Sequence, residues 1–322
     1  MQIQDYSGHP LLDPLDALPA DRPFTTAEAL AAGLTYDQLR VLIAKGALRH
    51  PIRGVYVAAR VPDSIALRCQ CLRLVVPEDA VVVDRHAGWL HGAEMVLAPN
   101  EHIHLEPVRL FLPAGRGRLR NHLADSGERT FRTDDLMEIG GLRVTTPLRT
   151  ALDLGRHRWP DRSLAAMDQM LRLKSFTKEE LINGVERFRG ARWVRTLRLM
   201  VEHVDGRAES PPESVMRLRW IETHLPYPTP QIEVWDGPDF LARLDLGNEE
   251  SRYAAEYDGA EWHSSPEQRA HDRRRREVAR ERGEWVIDAF VKEDLWGPTA
   301  HIERRLREGA ARAALRFGRR SA

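Results

Sequence analysis

The stretch from Leu241 to Gly283, LARLDLGNEESRYAAEYDGAEWHSSPEQRAHDRRRREVARERG, constrains this chain more than any other. Leu244–Gly247 and Arg252–Asp258 have the composition of short strands, and Gly247-Asn248-Glu249-Glu250-Ser251 between them is a polar turn. Pairing the two strands sets Asp245 beside Glu256. An unpaired buried carboxylate is costly, so a cation is the natural compensation. A hard divalent ion such as Mg²⁺ takes oxygen ligands and keeps several waters, so two protein carboxylates suffice. The same spacing also fits two solvated acids.

The flanking elements extend the pattern. Ser210-Pro211-Pro212-Glu213 is a helix start with Ser as N-cap, Pro just inside and Glu three residues on. The helix that follows carries Val215, Leu218, Ile221 and Leu225 near one face. Thr229–Trp235 reads as a strand. Ser265-Pro266-Glu267-Gln268 opens a second helix that stops at Gly283, Glu284–Phe290 is another strand, and Pro298–Leu315 a closing amphipathic helix. The predicted order is helix, three strands, helix, strand, helix.

With SPPES at 210–214, RLDLG at 243–247, AAEYDG at 255–259, His263 and the run from Asp272 to Trp285, this last third resembles the PD-(D/E)xK nuclease superfamily. The closer likeness is to its Vsr-like endonuclease domains. The resemblance implies a restriction-endonuclease-like αβββαβ core and a Mg²⁺ (or Mn²⁺) ion held by Asp245, Glu256 and the carbonyl of Tyr257. Glu213 would complete that cation site, although as the third residue of its helix it needs no function; Glu209 is a weaker competitor. The superfamily lysine two residues after Glu256 is Asp258 here, as it is also missing from Vsr-like relatives. That leaves His263 and Asp258 as candidates for the general base, with Asp258 also a candidate ligand. Arg276 either pairs with Asp272 at i, i+4 or joins Arg273 on the DNA side.

Bulk properties narrow the field. A net charge of zero means no whole-protein basic field, so any phosphate-binding surface must be local. Cys69 and Cys71 at i, i+2 of a helix point apart and read as reduced thiols of a cytoplasmic protein. The N-terminus lacks the apolar core of a signal peptide, and no run is long and apolar enough for a membrane span.

Residues 1–21 read as a loose arm. Thr25-Thr26-Ala27-Glu28 and Thr35-Tyr36-Asp37-Gln38 are capping boxes, each opening a short helix that ends at Gly33 or Gly46. Two capped helices with a tight turn make a helix-turn-helix, and the strands flanking Pro51-Ile52-Arg53 make a wing. The pattern of helix, AAG, helix, KGAL and RGVY is similar to the winged-helix N-terminus of AbiEi-like antitoxins. That implies DNA contact by Tyr36, Gln38 and Arg40 in the major groove and by Arg49 and Arg53 on the wing.

The middle region says less. RHAGWLHG at 85–92 reads as a short helix with a Gly stop, and TTPLRTALDL at 145–154 opens another helix; both look like the continuation of AbiEi-like proteins. Short strands are expected at His102–Leu105 and Leu142–Val144. His86, His91, His102 and His104 match no zinc spacing. The expected whole is an α+β chain: a winged helix over 22–60, a mixed α/β region over 61–207 and the nuclease-like domain over 208–322, with a hinge at Gly206-Arg207-Ala208. The preferred function is metal-dependent DNA cleavage. The alternative is an AbiEi-like antitoxin or transcriptional regulator whose nuclease-like domain only binds, with DNA and a toxin, or a second copy of the chain, as partners.

Overall fold

A computed structural model of the chain describes residues 18–99, 101, 106–119, 123–259, 274, 276–297 and 301–317. It is mixed α and β, with three separate sheets among the described residues, and it divides into two units. Unit 1 takes residues 1–92 and 101–150, and unit 2 takes 93–100 and 151–322.

Unit 1 begins with β1 (Phe24–Thr25), α1 (Thr26–Ala31) and α2 (Tyr36–Ala44), then the antiparallel pair β2 (Leu48–Ile52) and β3 (Val55–Ala58). Both capping boxes form: Thr25 with Glu28 and Thr35 with Gln38 each satisfy the other's backbone N–H. Gly33 and Gly46, at φ 92° and 70°, stop the helices in the left-handed backbone that glycine adopts without strain. Successive strand residues point to opposite faces, and β3 buries both of them. Tyr56 packs with Phe24, Leu39 and Leu48, whereas Val55 and Val57 pack with Leu67, Leu72 and Leu110. The expected boundary at 60/61 therefore falls inside one unit, because the hairpin is sandwiched between two apolar clusters.

The second cluster is completed by α3 (Ile65–Arg73), β4 (Val81–Val82), α4 (Asp84–His91), β5 (Val108–Pro113), β6 (Ala124–Arg129), β7 (Leu136–Ile139) and β8 (Leu142–Thr145). These strands form a sheet in the order β6-β5-β4-β8-β7. Cys69 and Cys71 are free and buried, and burial pushes the Cys71 thiol up to about 12. The strand expected at 102–105 lies outside the described residues.

Helix α5 (Pro147–Gly155) leads into unit 2, where α6 (Pro160–Arg172), α7 (Lys178–Gly184) and α8 (Val194–Val201) precede α9 (Pro211–Glu222). The strands β9 (Thr229–Asp236), β10 (Asp239–Asn248) and β11 (Tyr253–Tyr257) run antiparallel in succession. After α10 (residues 276–281), β12 (Val286–Phe290) pairs parallel to β11, giving the sheet order β12-β11-β10-β9. A parallel neighbour demands a long crossover, which the 258–285 segment supplies. Short α11 (Lys292–Leu295) and long α12 (Ile302–Phe317) follow, with Leu306 and Ala313 packed beside Trp220, Tyr253 and Phe290.

The expected hinge at Gly206–Ala208 is a packing point inside unit 2. A Cβ on Gly206 would lie 3.0 Å from the backbone nitrogen of Arg172. Helix α9 also departs from the one-faced pattern: Arg217 is 1% exposed and ion-pairs Asp168 of α6, itself fully buried, at 2.5 Å. Asp168 also accepts from the N–H of Asp205 at 2.8 Å, and Arg217 donates to the carbonyl of His203. No helix among the described residues is long and apolar enough to cross a membrane.

Candidate functional site

Two of the acids singled out in unit 2, Asp245 and Glu256, lie on the two inner strands, β10 and β11. Their ladder ends at the Leu246–Ala255 pair, which puts Asp245 and Glu256 one position further on. There the N–H of Tyr257 donates to Asp245 Oδ2 at 2.8 Å, so the carboxylate takes a place that a strand carbonyl would otherwise fill. On the other side, Gln231 lies between the Pro230–Leu246 and Ile232–Leu244 pairs, beside Asp245. Its backbone is left-handed, φ 53°, a conformation costing a non-glycine residue about 1–2 kcal/mol.

Gln231 links the row to Glu213. Its Nε2 donates to Glu213 Oε2 at 2.9 Å, which also accepts from the N–H of Glu209 at 2.9 Å, while Ser210 Oγ donates to Oε1 at 2.8 Å. Burial pushes the Glu213 carboxyl up, and these hydrogen bonds pull against it. Glu209 turns elsewhere, to Arg243 at 3.2 Å and Arg172 at 3.5 Å.

At the far end of the row the cation is a side chain. Arg276 donates through Nε to Glu256, which is 1% exposed, and through Nη1 to Asp258 at 3.0 Å. Burial by itself would lower the Arg276 pKa, but the hydrogen bond to Asp258 and the charge of Glu256 outweigh it and push it up. Spacing offers Arg276 a DNA-facing surface or Asp272, which lies outside the described residues; the structure places it on Glu256 and Asp258. Sequence reasoning placed Arg276 by helical spacing, and the tertiary fold decides that α10 brings it over β11.

The residues as arranged do not fit a resident Mg²⁺. Among the described residues no three His, Cys, Asp or Glu side chains converge as a donor set. Glu256 is held by the guanidinium, Glu213 by three donors and Asp245 by a backbone N–H. His263 and Arg273 lie outside the described residues. No pattern in the sequence marks Gln231 as a member of the row; only the β9–β10 register brings it there.

In unit 1, Tyr36 is 60% exposed and Arg40 forms only a surface pair with Asp37, 3.2 Å apart. Arg53 is exposed at the hairpin turn. Gln38 is occupied in its capping box, where Oε1 accepts from the N–H of Thr35 at 2.8 Å. Arg49 is not on the open side of the hairpin: it is half-buried and donates to the carbonyl of Val61. Its backbone pairs with Val57, and the register turns the side chain towards the following segment. His86 and His91 are likewise structural. Nδ1 of His86 accepts from the N–H of Arg109 at 3.1 Å, and burial lowers its pKa to about 3. Nε2 of His91 lies 2.7 Å from the carbonyl of Thr145.

Known proteins match two different extents of this chain. Two uncharacterized proteins, from two strains of Mycobacterium tuberculosis, are each 28% identical to it over 292 residues, covering 88% of this chain and 99% of the relative. The AbiEi antitoxin C-terminal domain family matches residues 80–203, a stretch that contains RHAGWLHG and TTPLRTALDL and excludes the acid row. The chain is thus similar to the AbiEi antitoxin C-terminal domain across its middle, and to these mycobacterial proteins along most of its length.

Proposed function

We propose that this protein is a duplex-DNA-binding regulator of the antitoxin kind, with α1, α2 and the β2–β3 hairpin acting as a winged helix. The observation that carries the reading is the exposure of Tyr36 and Arg40 at the leading end of α2 and of Arg53 at the hairpin turn. The match to an antitoxin domain over 80–203 supports a toxin protein as partner. Arg40 and Arg53 would meet phosphates, which position the helix without reading sequence, and Tyr36 would approach base edges. Gln38 and Arg49, tied into local hydrogen bonds, hold this surface in shape. The test is selection from random duplexes, followed by titration of the selected site with Arg40→Ala/Arg53→Ala. Affinity should fall, and the salt slope should flatten by about one unit for each phosphate no longer neutralised. Wild-type affinity and slope in that variant would defeat the reading. Arg49→Ala should lower thermal stability instead.

A second reading, metal-dependent phosphodiester hydrolysis, is favoured by one observation: Asp245 and Glu256 lie side by side where the two inner strands part. It requires Arg276 to give up Glu256, since the arrangement described leaves no donor set for the ion. Incubating supercoiled, mismatched, branched and single-stranded DNA with Mg²⁺ or Mn²⁺ tests it, with Asp245→Ala as control. Equal cleavage by the control would dismiss it.

A further inference from the structure

A second arginine-rich surface lies in unit 2. Residues 155–162 (GRHRWPDR) and 185–199 (VERFRGARWVRTLRL) hold eight arginines against two acids, Asp161 and Glu186, in a chain whose net charge is zero. The fold puts the two segments side by side. The Arg156 guanidinium lies over the Phe188 ring, 4.5 Å from its centroid, and a Cβ on Gly155 would come within 2.5 Å of Leu197 Cδ1.

The acids are already committed. Asp161 Oδ1 accepts from the N–H of Arg162 at 2.9 Å, and Glu186 faces Arg198 at 3.4 Å. Arg158, Arg189, Arg192 and Arg195 are exposed and have no carboxylate partner among the described residues. Their charges are therefore left without carboxylate neutralisation among the described residues.

Each segment also exposes a tryptophan. Trp159 is 49% and Trp193 39% exposed, and each lies under a neighbouring arginine, with Arg158 4.5 Å and Arg192 5.2 Å from the ring centroids. Trp193 is held at φ 62° just before α8, a strained backbone for so large a residue. Exposed aromatic faces interleaved with arginines suit a polyanion with accessible π-faces. Arginine meets phosphate bidentately, and an unpaired base stacks on an indole whatever its identity. A duplex would satisfy the charge but leave the indoles unused, since its bases are already stacked.

We infer that this Arg–Trp surface, built from the α5–α6 connection and the segment leading into α8, binds single-stranded nucleic acid. It does not depend on the duplex reading of the N-terminal helices, which uses a different unit.

The experiment is fluorescence anisotropy of the full-length protein with labelled 20-mers of dT and U and a random 20-bp duplex, across a salt series. Both single strands should bind, with dT against U reporting any preference for one sugar. Trp159→Ala/Trp193→Ala should weaken single-strand binding at least about tenfold, since each indole would no longer stack a base. Duplex affinity should be unchanged in that variant. Phe at both positions should restore most of the binding, which a merely folding-related role would not produce. Ala at Arg158, Arg189, Arg192 and Arg195 should flatten the salt slope by about 0.7 for each arginine that meets a phosphate. Two outcomes overturn the proposal: no single-strand binding by wild type, or binding that survives in the double-Ala variant. Loss of duplex binding alone in Arg40→Ala/Arg53→Ala leaves the single-strand arm intact, so the two readings fail separately.

Discussion

Two of the arginine–carboxylate pairs of unit 2, Arg217–Asp168 and Arg276–Glu256, differ in their surroundings. Arg217 reaches from α9 to Asp168 of α6, and the two side chains are 1% and 0% exposed. Arg276 reaches from α10 to Glu256, 1% exposed, and to Asp258, 54% exposed. The first pair is fully buried and joins α6 to α9. The second opens to water through Asp258. Coulomb attraction alone does not distinguish them, since both pairs are close. What differs is which species can replace the guanidinium. Around Asp168 nothing can, so Arg217 is structural. Around Arg276 the exposed Asp258 leaves one side of the guanidinium open to water, so its removal would leave room that solvent can reach.

The largest effect should come from opening the closed pair. Arg217→Met strands a buried carboxylate and should cost about 3–5 kcal/mol of stability, read from denaturant midpoints at unchanged slope. The double variant Asp168→Leu/Arg217→Met should recover most of that loss, because the pair is not fully satisfied: Arg217 Nε is buried without a hydrogen-bond partner. A single-variant loss below about 1 kcal/mol would erase the contrast with Arg276.

Arg276→Gln should be milder, costing about 1 kcal/mol, because the open side lets water solvate what remains. Its sharper signature is gained metal affinity. Mn²⁺ titration followed by electron paramagnetic resonance should show binding at least about tenfold tighter than wild type, a shift of about 1.4 kcal/mol. Adding Asp245→Asn should remove the gain. If wild type already binds Mn²⁺ as tightly as Arg276→Gln, the guanidinium does not occupy the cation's place.

The smallest effect concerns Glu213, the middle case, largely buried but neutralised by donors rather than by an ion. Burial raises its folded pKa above the ordinary value of 4.5. The folded state therefore holds the proton more tightly than the unfolded chain does. Its contribution to stability is complete below the unfolded pKa and is lost as pH rises through the folded one. Glu213→Gln should flatten that part of the stability curve, measured from pH 4 to 7. An unchanged slope would mean that the three donors offset burial completely.

Local signals were legible wherever the chain decides locally. Both N-terminal capping boxes, the glycine stops at Gly33, Gly46 and Gly92, the Ser210 cap and the strands carrying Asp245 and Glu256 were all readable, because caps and turns depend on neighbours within four residues. Strand β6, ADSGER, was not: it has no apolar alternation and forms only because β5 offers its edge. No local pattern marks Arg217, whose burial comes from Asp168, 49 residues earlier.

The sequence by itself therefore determined the capped helices, the glycine stops and the four strands of the C-terminal sheet, and that an acid pair sits on adjacent strands. Spacing of 2.0 or 3.6 residues and capping chemistry suffice for that. Only the tertiary structure decided which charges meet. It brought Arg276 onto Glu256, Gln231 onto Glu213 and Asp168 onto Arg217, and it turned Arg49 into the protein. Those pairings are set by how whole elements pack, and a long side chain's partner depends on the surface it is carried to rather than on its place in the chain.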